Sequence, residues 1–333
     1  MSTKKINTYR YVILAVVALL IAIPTVGFIY FAVQYHNLRA DAADILLASS
    51  SQYEDDCYYE ANYGINDENY YDYEPEDFWV GANGNDSQDE VQLPPEEVPA
   101  YQLLYPQLYI GSDFRQIIET EKTIYLTFDD GPTYLTTRVL NILRDHDVRA
   151  TFFVVYRNTA EARALYQRII NEGHTLGLHS ASHAYRSIYT SVESFLSDMA
   201  ILSDMLEEVT GVKPEILRFP GGSINVFNRM IHRELSTEIT RRGYVYFDWD
   251  VSAVDLSPNA TASTVRNNVL NGVYGNERAI VLMHDTGNHA TVAALPGIIE
   301  TLREAGYTFA PLDRTIRPVR FNYIPEQQHQ TEN

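Results

Sequence analysis

From residue 115 onward, short apolar runs alternate with segments whose apolar residues recur at helical spacing. The apolar runs predict strands at Thr123–Asp129, Ala150–Val155, Thr175–His179, Ile216–Phe219, Tyr244–Trp249 and Ala279–His284. The amphipathic segments predict helices at Thr136–Arg144, Thr159–Asn171, Val192–Val209, Asn228–Arg242, Ala262–Tyr274 and Thr291–Ala305. Strands that alternate with helices pair in parallel, so the pattern predicts an α/β fold, either a βα barrel or an open sheet.

Polar side chains fall at the C-terminal ends of the predicted strands. They are Asp129, Asp130, His179, Arg218, Asp250 and His284. In a parallel barrel these strand ends form the face that carries the active site. The polar positions therefore predict one site at this face.

The N-terminal part of the chain has a different pattern. Residues 11–33 are apolar and uncharged, and at about 1.5 Å per residue they can cross a hydrocarbon layer of about 30 Å. Lys4, Lys5 and Arg10 precede this run, which predicts that residues 1–10 are cytoplasmic and the rest of the chain is extracellular. The run is longer than a typical signal-peptide core and lacks a compact Ala-x-Ala site, so a retained single-pass anchor is favoured over a cleaved signal peptide.

Residues 34–100 are rich in Asp, Glu, Asn and Tyr and poor in aliphatic periodicity. A segment of this composition buries too little apolar surface to offset its chain entropy. We expect an extended, self-repelling linker between the anchor and a catalytic domain at 101–320, with a tail at 321–333. Alternatively, the tyrosines form a stacking surface for sugars or a site of sulfation-like modification.

The formal net charge of −19 is concentrated in this linker. No Lys or Arg lies between Arg39 and Arg115, where 18 of the 44 acidic residues fall. Binding nucleic acid needs clustered basic residues, so nucleic acid is not an expected partner. Cys57 is the only cysteine, which rules out an intrachain disulfide. Separately, we expect the chain to act as a monomer.

Asp129 and Asp130 are adjacent carboxylates at the end of a predicted buried strand. In a site of low dielectric such a pair repels unless one acid keeps a proton or a cation binds. The alternative is an Asp-Gly turn whose acids are both solvated. Asp129 and Asp130 alone do not distinguish these interpretations.

His179 and His183 are four residues apart and could share a metal ion. With a carboxylate from another strand they would supply three ligands and leave a position for water, as in catalytic sites. Alternatively, they are surface histidines. In the segment Arg218–Ser223, a strand ends with a guanidinium and a Pro-Gly-Gly turn follows; a plain turn after a strand is the alternative. His284 ends another predicted strand, and a capped strand is the alternative there.

Together, Thr127–Pro132, His179–His183, Arg218–Ser223 and Leu282–Asp285 resemble the motifs of polysaccharide deacetylases of the NodB-homology type, carbohydrate esterase family four. The motifs occur in the family's order and cover roughly Lys122 to Pro311. The resemblance implies a distorted (β/α) barrel that binds a divalent metal, often zinc, and removes acetyl groups from N-acetylated sugars. The chain as a whole resembles, in its organisation, membrane-anchored peptidoglycan N-acetylglucosamine deacetylases.

By this resemblance, Asp130, His179 and His183 are the expected metal ligands. Asp129 corresponds to the general base, His284 to the general acid, and Arg218 to the arginine that holds the base. The remaining expected residues are the acid's partner Asp255 and the substrate-binding positions Pro220, Gly221, Leu256 and Leu282, with the Gly221 amide as a donor to the oxyanion. Two imidazoles and one carboxylate accept Zn²⁺, Co²⁺, Ni²⁺ or Mn²⁺.

One motif departs from the family pattern. The family commonly has an aspartate followed by a tryptophan that lines the groove, and this chain has Asp255 followed by Leu256. Leu256 keeps an apolar wall but lacks a stacking ring, which affects substrate affinity or choice more than chemistry.

The predicted function is that of a metal-dependent hydrolase which removes N-acetyl groups from a cell-surface polymer of N-acetylglucosamine, with peptidoglycan as the favoured substrate. An O-acetyl esterase acting on xylan or a similar glycan would use the same residues. A catalytically inactive carbohydrate-binding barrel is the alternative from another class. His289 lies near the predicted site, and substrate contact is one interpretation of it.

Overall fold

A computed structural model of the chain describes residues 98–111 and 122–321. Its strands are β1 (Thr123–Asp129), β2 (Thr151–Val155), β3 (Thr175–Ser180), β4 (Ile216–Leu217), β5 (Val245–Tyr246), β6 (Val251–Ser252), β7 (Arg278–His284) and β8 (Thr308–Phe309). The α-helices are α1 (Thr136–Asp145), α2 (Ala160–Asn171), α3 (Tyr185–Ile188), α4 (Val192–Thr210), α5 (His232–Arg241), α6 (Ala262–Val273) and α7 (His289–Glu304). Every strand and helix predicted from the sequence is present, whereas β6, β8 and α3 were not predicted.

All the strand pairs are parallel, and the neighbours run in the order β5-β4-β3-β2-β1-β7-β6, with β8 beside the start of β1. β1 pairs with β7 along its whole length, from Thr123 opposite Arg278 to Asp129 opposite His284. The edge strands β5 and β6 do not pair with each other. The α/β class and the parallel strands are therefore confirmed, and the expected barrel has the form of an open half-barrel.

Strand alternation decides which side chains reach the concave face of the half-barrel. On β1, Phe128 packs in the outer core against the helices, whereas Tyr125 packs in a second cluster on the concave side. Asp129 comes four positions after Tyr125, an even offset, so it lies on the concave side too. The same alternation places His179 on β3 and His284 on β7 there.

The chain after β8 returns across the concave side. Leu312 and Ile316 belong to the inner cluster with Phe153 and Phe247. The Leu312 amide donates a hydrogen bond to Thr151 Oγ1 at 2.8 Å. This segment, residues 310–321, therefore fills the interior that a closed ring of strands would enclose.

The predicted anchor at 11–33 and almost all of the predicted linker lie outside the described residues, as does the end of the tail. In the described ranges, none of the helices is long and apolar enough to cross a bilayer. The anchor, the linker and the domain boundaries remain predictions.

His174, at the start of β3, is a structural histidine with a measurable signature. Its Nδ1 accepts a hydrogen bond from the Ala150 amide at 3.0 Å, and burial lowers its pKa to about 4. Between pH 4 and 6.5 the unfolded chain binds the proton more strongly, so the free energy of unfolding should rise with pH across this window. The rise is at most about 3.5 kcal/mol, at about 1.4 kcal/mol per pKa unit. Denaturant titrations at several pH values should show a smaller rise in the free energy of unfolding for H174N than for the wild type. The rise should be unchanged for H146N, whose side chain lies elsewhere. An equal dependence on pH in the wild type and both variants would contradict this assignment.

Candidate active site

Both carboxylates at the end of β1 point into one buried pocket. Asp130 has a φ of +72°, a left-handed conformation that interrupts strand alternation. As a result, Asp129 Oδ2 lies 3.8 Å and Asp130 Oδ1 lies 3.4 Å from the same atom, His179 Nε2. Asp130 is fully buried and Asp129 is 2% exposed. The interpretation of both acids as solvated turn residues is therefore wrong.

Asp130, His179 and His183 form a three-residue cluster on the concave side. Asp130 Oδ1 lies 3.4 Å from His179 Nε2 and 3.2 Å from His183 Nε2, and one ligand atom from each residue lies within 4.8 Å of the others. All three side chains are buried, so the two histidines are not surface residues. Burial favours protonation of Asp130, but the imidazoles of His183 and His179 outweigh it and hold the pKa of Asp130 well below its usual range.

The cluster fits a divalent cation. Nitrogen and oxygen ligands held at about 2.1 Å by a tetrahedral ion are about 3.4 Å apart, close to the spacings seen here. Both carboxylate oxygens of Asp130 are buried and accept no hydrogen bond within the described part of the chain. A buried carboxylate in that state is costly unless a cation binds it. Imidazole and carboxylate donors do not by themselves choose between Zn²⁺ and similar ions.

The tautomer of His179 is set by the strand beside it. Its Nδ1 lies 2.9 Å from the carbonyl oxygen of Arg218, which can only accept a hydrogen bond. Nδ1 therefore carries a proton, and Nε2 faces Asp130 and the pocket, where it can bind a cation when the ring is neutral. This is the arrangement that orients a histidine for metal binding.

Asp198, on α4, supports the loop that carries His183. Its carboxylate accepts hydrogen bonds from Ser180 Oγ at 2.6 Å, the Ala181 amide at 2.6 Å and the Ser182 amide at 2.8 Å. Ser180 Oγ in turn accepts from the His183 amide at 2.8 Å. These bonds hold His183 at a φ of +54°, so Asp198 positions a proposed ligand without facing the pocket.

We expect D198N to bind the metal about 10-fold to 100-fold more weakly, the range seen when the supports of metal ligands are removed. An amide offers one accepting oxygen where the carboxylate offers two. Competition with a chelating indicator measures the affinity. Asp204, on the same helix, contacts Gln107 instead, so D204N is the matched control. Equal affinity in the two variants would contradict the role of Asp198.

Arg218 fixes Asp129 on one side of the cluster. The guanidinium is fully buried, and its Nη1 donates to Asp129 Oδ1 at 2.9 Å and to Thr127 Oγ1 at 2.6 Å. Its other donors reach the carbonyl oxygens of Phe247 and Asp248. Burial raises the pKa of Asp129 and Arg218 opposes that rise. The result is a carboxylate of fixed orientation that can accept a proton.

His284 and Asp255 form a second pair at the end of β7. His284 Nδ1 lies 2.8 Å from Asp255 Oδ1, and the His284 amide donates to Asp255 Oδ2, also at 2.8 Å. Thr291 Oγ1 donates to the same oxygen at 2.7 Å. Because β1 and β7 are in register at their ends, His284 lies opposite Asp129.

The Pro-Gly-Gly turn after β4 is held by a buried acid, Asp248. The Asp248 carboxylate accepts from the Ser223 amide at 2.8 Å, from Ser223 Oγ at 2.5 Å and from the Phe321 amide at 2.7 Å. Gly222 has a φ of +85°, and a Cβ there would lie 2.7 Å from the Phe321 ring and 3.3 Å from Trp249. The turn that presents the Gly221 amide is therefore packed directly against the end of the described chain.

Asp285 joins the loops that follow β1 and β7. Its carboxylate accepts from Thr133 Oγ1 at 2.6 Å and from Thr136 Oγ1, while its amide donates to the Asp129 carbonyl at 2.8 Å. Burial raises the pKa of Asp285 to about 6. No role is predicted from the sequence for this residue, nor for Asp198 or Asp248.

The other residues predicted for the site lie in different places. Pro220 is buried and its carbonyl accepts from Tyr189 Oη at 2.7 Å, while Leu282 is buried two positions before His284. Leu256, next to Asp255, is half-buried. Asp250 does not point into the site, because its Oδ2 accepts from the Ile280 amide at 2.8 Å. His289 lies outside the metal cluster, and its Nε2 is 3.3 Å from Oη of the exposed Tyr134.

Comparison with known proteins gives a consistent set of relatives. The family described as polysaccharide deacetylase matches residues 117–239. A putative polysaccharide deacetylase of Bacillus subtilis is 37% identical over 203 residues, covering 60% of this chain and 70% of the relative. A peptidoglycan-N-acetylglucosamine deacetylase of Bacillus cereus is 34% identical, covering 56% of this chain and 68% of the relative. The solved catalytic domain of a peptidoglycan N-acetylglucosamine deacetylase from Eubacterium rectale has a TM-score of 0.60 and 35% identity, over 62% of this chain and 96% of that domain.

Proposed function

Since the chain belongs to the polysaccharide deacetylase family, we propose that it hydrolyses the N-acetyl groups of an N-acetylglucosamine polymer, with peptidoglycan as the substrate. The observation that carries the proposal is the arrangement around one cation-sized cluster. Two pairs accompany the cluster, Asp129 with Arg218 and His284 with Asp255, and Asp129 and His284 end the adjacent strands β1 and β7.

Hydrolysis of an amide needs an activated water, charge stabilisation on the carbonyl oxygen and a proton for the leaving nitrogen. We assign Asp130, His179 and His183 as the residues that hold a divalent ion. When bound, such an ion lowers the pKa of a water ligand to about 7 and polarises a carbonyl.

The protein's own groups perform the proton transfers. Asp129, oriented by Arg218, accepts the proton of the attacking water. His284 uses Nδ1 to bind Asp255, so its Nε2 delivers a proton to the departing amine, and Asp255 stabilises the imidazolium that precedes this transfer. The Gly221 amide is the proposed donor to the carbonyl oxygen as it gains negative charge.

The test is to incubate the full-length chain with peptidoglycan, with N-acetylglucosamine oligomers and with O-acetylated xylan, each with and without a chelator. We expect chelator-sensitive release of free amine from the N-acetylated substrates. Release of acetate from xylan alone would identify the O-acetyl esterase, which the same residues could serve. Metal binding without turnover of any substrate would favour the carbohydrate-binding alternative.

We further propose that residues 11–33 anchor the chain and place the catalytic domain outside the cell. The support is the charge distribution around the apolar run. Cys57 offers a direct test because it is the only cysteine and lies in the predicted extracellular linker. On intact cells, a membrane-impermeant thiol reagent should label the wild-type chain and should not label the C57S chain. Labelling of the wild-type chain only after lysis would contradict the orientation.

A further inference from the structure

The loops that follow β1 to β7 expose only positive charge. Three of their charged side chains are exposed, and all three are arginines: Arg157, Arg186 and Arg229. The loops comprise residues 130–135, 156–159, 181–191, 218–231, 247–250, 253–261 and 285–288. The formal net charge of −19 is concentrated in the linker, so these loops are distinguished by the single sign of their exposed charge and not by a contrast with that total.

The acids of the same loops do not offset the arginines at the surface. Asp130, Asp248, Asp255 and Asp285 are buried, and Asp250 is half-buried with its carboxylate bound to the Ile280 amide. Their charges are engaged in the interior contacts already described. Exposed acids lie next to these loops, since Glu161, Glu193 and Glu234 are in the first turns of α2, α4 and α5. Within the loops themselves, the exposed charge that a substrate meets is that of the guanidinium groups.

The three arginines form no ion pair with a carboxylate of the described residues. Other arginines of this chain do form such pairs: Arg144 pairs with Asp145 at 2.8 Å and Arg163 with Glu208 at 2.9 Å. Arg157, Arg186 and Arg229 thus keep the donors that match a carboxylate in a bidentate geometry.

The three residues lie on one side of the site. They follow β2, β3 and β4, which are adjacent strands, and β3 also carries the proposed ligand His179. The general-acid candidate, His284, is on β7 at the other side. We call the side of the site formed by the loops after β2, β3 and β4 the metal-ligand side. A substrate that spans the site would meet the positive charge of these arginines only there.

A row of aromatic rings links Arg186 to the metal cluster. Its guanidinium carbon lies 5.7 Å from the centroid of the Phe227 ring. Phe227 packs against Tyr185 at 5.2 Å, and Tyr185 packs edge-on against His183 at 5.3 Å between centroids. The cation over the ring loses less conformational freedom on binding an anion than a fully solvated arginine would.

We propose that Arg157, Arg186 and Arg229, together called the arginine rim, bind a carboxylate carried by the substrate glycan on the metal-ligand side of the cleaved acetyl group. This inference rests on the proposed function and names its substrate class: an anionic glycan is preferred over a neutral N-acetylglucosamine homopolymer. In peptidoglycan the stem peptide is attached to the lactyl group by an amide bond. The carboxylate therefore comes from the stem peptide where the peptide is present, and from the free lactyl group where it has been removed.

The test compares the full-length wild-type chain with R157Q/R186Q/R229Q on soluble peptidoglycan fragments and on a neutral N-acetylglucosamine oligomer of equal length. We expect the ratio of kcat/KM between the two substrates to fall at least 10-fold in the triple variant, through a higher KM for the peptidoglycan fragments. The preference of the wild type should weaken at 0.5 M salt, because the interaction is with an exposed charge. An unchanged ratio, or an equal loss on both substrates, would overturn the proposal.

The matched control is R144Q/R149Q/R303Q, which removes the same charge from exposed arginines outside these loops. It should keep the wild-type ratio; a comparable fall would assign the effect to net charge and overturn the role of the rim. Three kinds of fragment distinguish the two sources: fragments with the stem peptide, fragments without it whose lactyl carboxylate is free, and fragments without it whose lactyl carboxylate is amidated. A preference shown only for fragments with the stem peptide identifies the peptide. A preference shown for peptide-free fragments with a free lactyl carboxylate, and lost when that carboxylate is amidated, identifies the lactyl group. No preference for any of the three kinds of fragment would overturn the proposal.

Sedimentation with insoluble peptidoglycan gives a readout that needs no turnover. The wild type and the control variant should sediment with the polymer, and the rim variant should stay in the supernatant. Equal sedimentation of all three would overturn the rim even in an active enzyme. Loss of sedimentation in the rim variant alone, with no amine released by any chain, would support the rim and contradict the proposed hydrolysis.

Discussion

Replacing His179 with Ala is expected to abolish both metal binding and the release of amine from N-acetylated oligosaccharides. His179 Nε2 lies 3.4 Å from Asp130 Oδ1, and its Nδ1 proton is held by the Arg218 carbonyl. Without this imidazole, Asp130 and His183 provide two ligands, fewer than the three that catalytic sites use. Mass spectrometry of the metal content and an assay of free amine measure the two effects on the same preparation.

The matched control is H146A, because His146 is a half-buried histidine at the end of α1 and outside the cluster. It should keep the metal content and the rate of the wild type. A folded H179A that retains both metal and activity would contradict the ligand assignment. Such a result would also remove the main support for the proposed hydrolysis.

Replacing Asp129 with Asn is expected to reduce kcat by about 100-fold to 10,000-fold, the usual contribution of a general base, while metal binding is preserved. The amide keeps an oxygen that can accept from Arg218 Nη1 but cannot take a proton from water. Steady-state rates and metal content, measured together, separate the loss of the base from the loss of the metal.

D145N is the control for this substitution, since Asp145 is an exposed acid paired with Arg144. A D129N rate within a few-fold of the wild type would contradict the assignment of the base. Loss of the metal in D129N would show that Asp129 is a ligand, and the division of roles between the two adjacent acids would have to be revised.

Most of the fold could be predicted because its long elements carry strong periodicity. β1 and β7 are seven-residue runs bounded by polar residues, and α4 shows buried positions at helical spacing over five turns. β6 and β8 have two residues each, too few to produce a pattern. Whether the sheet closes could not be predicted, because that depends on the path of residues 310–321 across the concave side.

The cluster of Asp130, His179 and His183 could be predicted from the rule that parallel strands end at one face, applied together with the family motifs. Asp250 shows where that rule failed. The apolar run through Trp249 was assigned to a single strand, but β5 ends at Tyr246 and the chain turns into β6. Asp250 therefore bonds to the backbone of β7 at the sheet edge.

Three buried acids escaped prediction for a common physical reason. Asp198, Asp248 and Asp285 each accept hydrogen bonds from loops that only the tertiary structure brings near. The Phe321 amide is 73 residues from Asp248, and Thr133 is 152 residues from Asp285. For Asp198 a signal was available, because it lies between Phe195 and Leu202 on the apolar face of α4, where an unpartnered acid would be unfavourable.

The contact between Asp248 and Phe321 has a consequence for protein engineering. Phe321 lies far beyond residue 239, where the family match ends, yet its amide and ring pack against the turn that presents Gly221. A chimera that exchanges the turn after β4 with that of a relative has to exchange the chain up to residue 321 as well. A reporter fused directly after residue 318 would disrupt that turn, whereas one fused after residue 333 would leave its support intact.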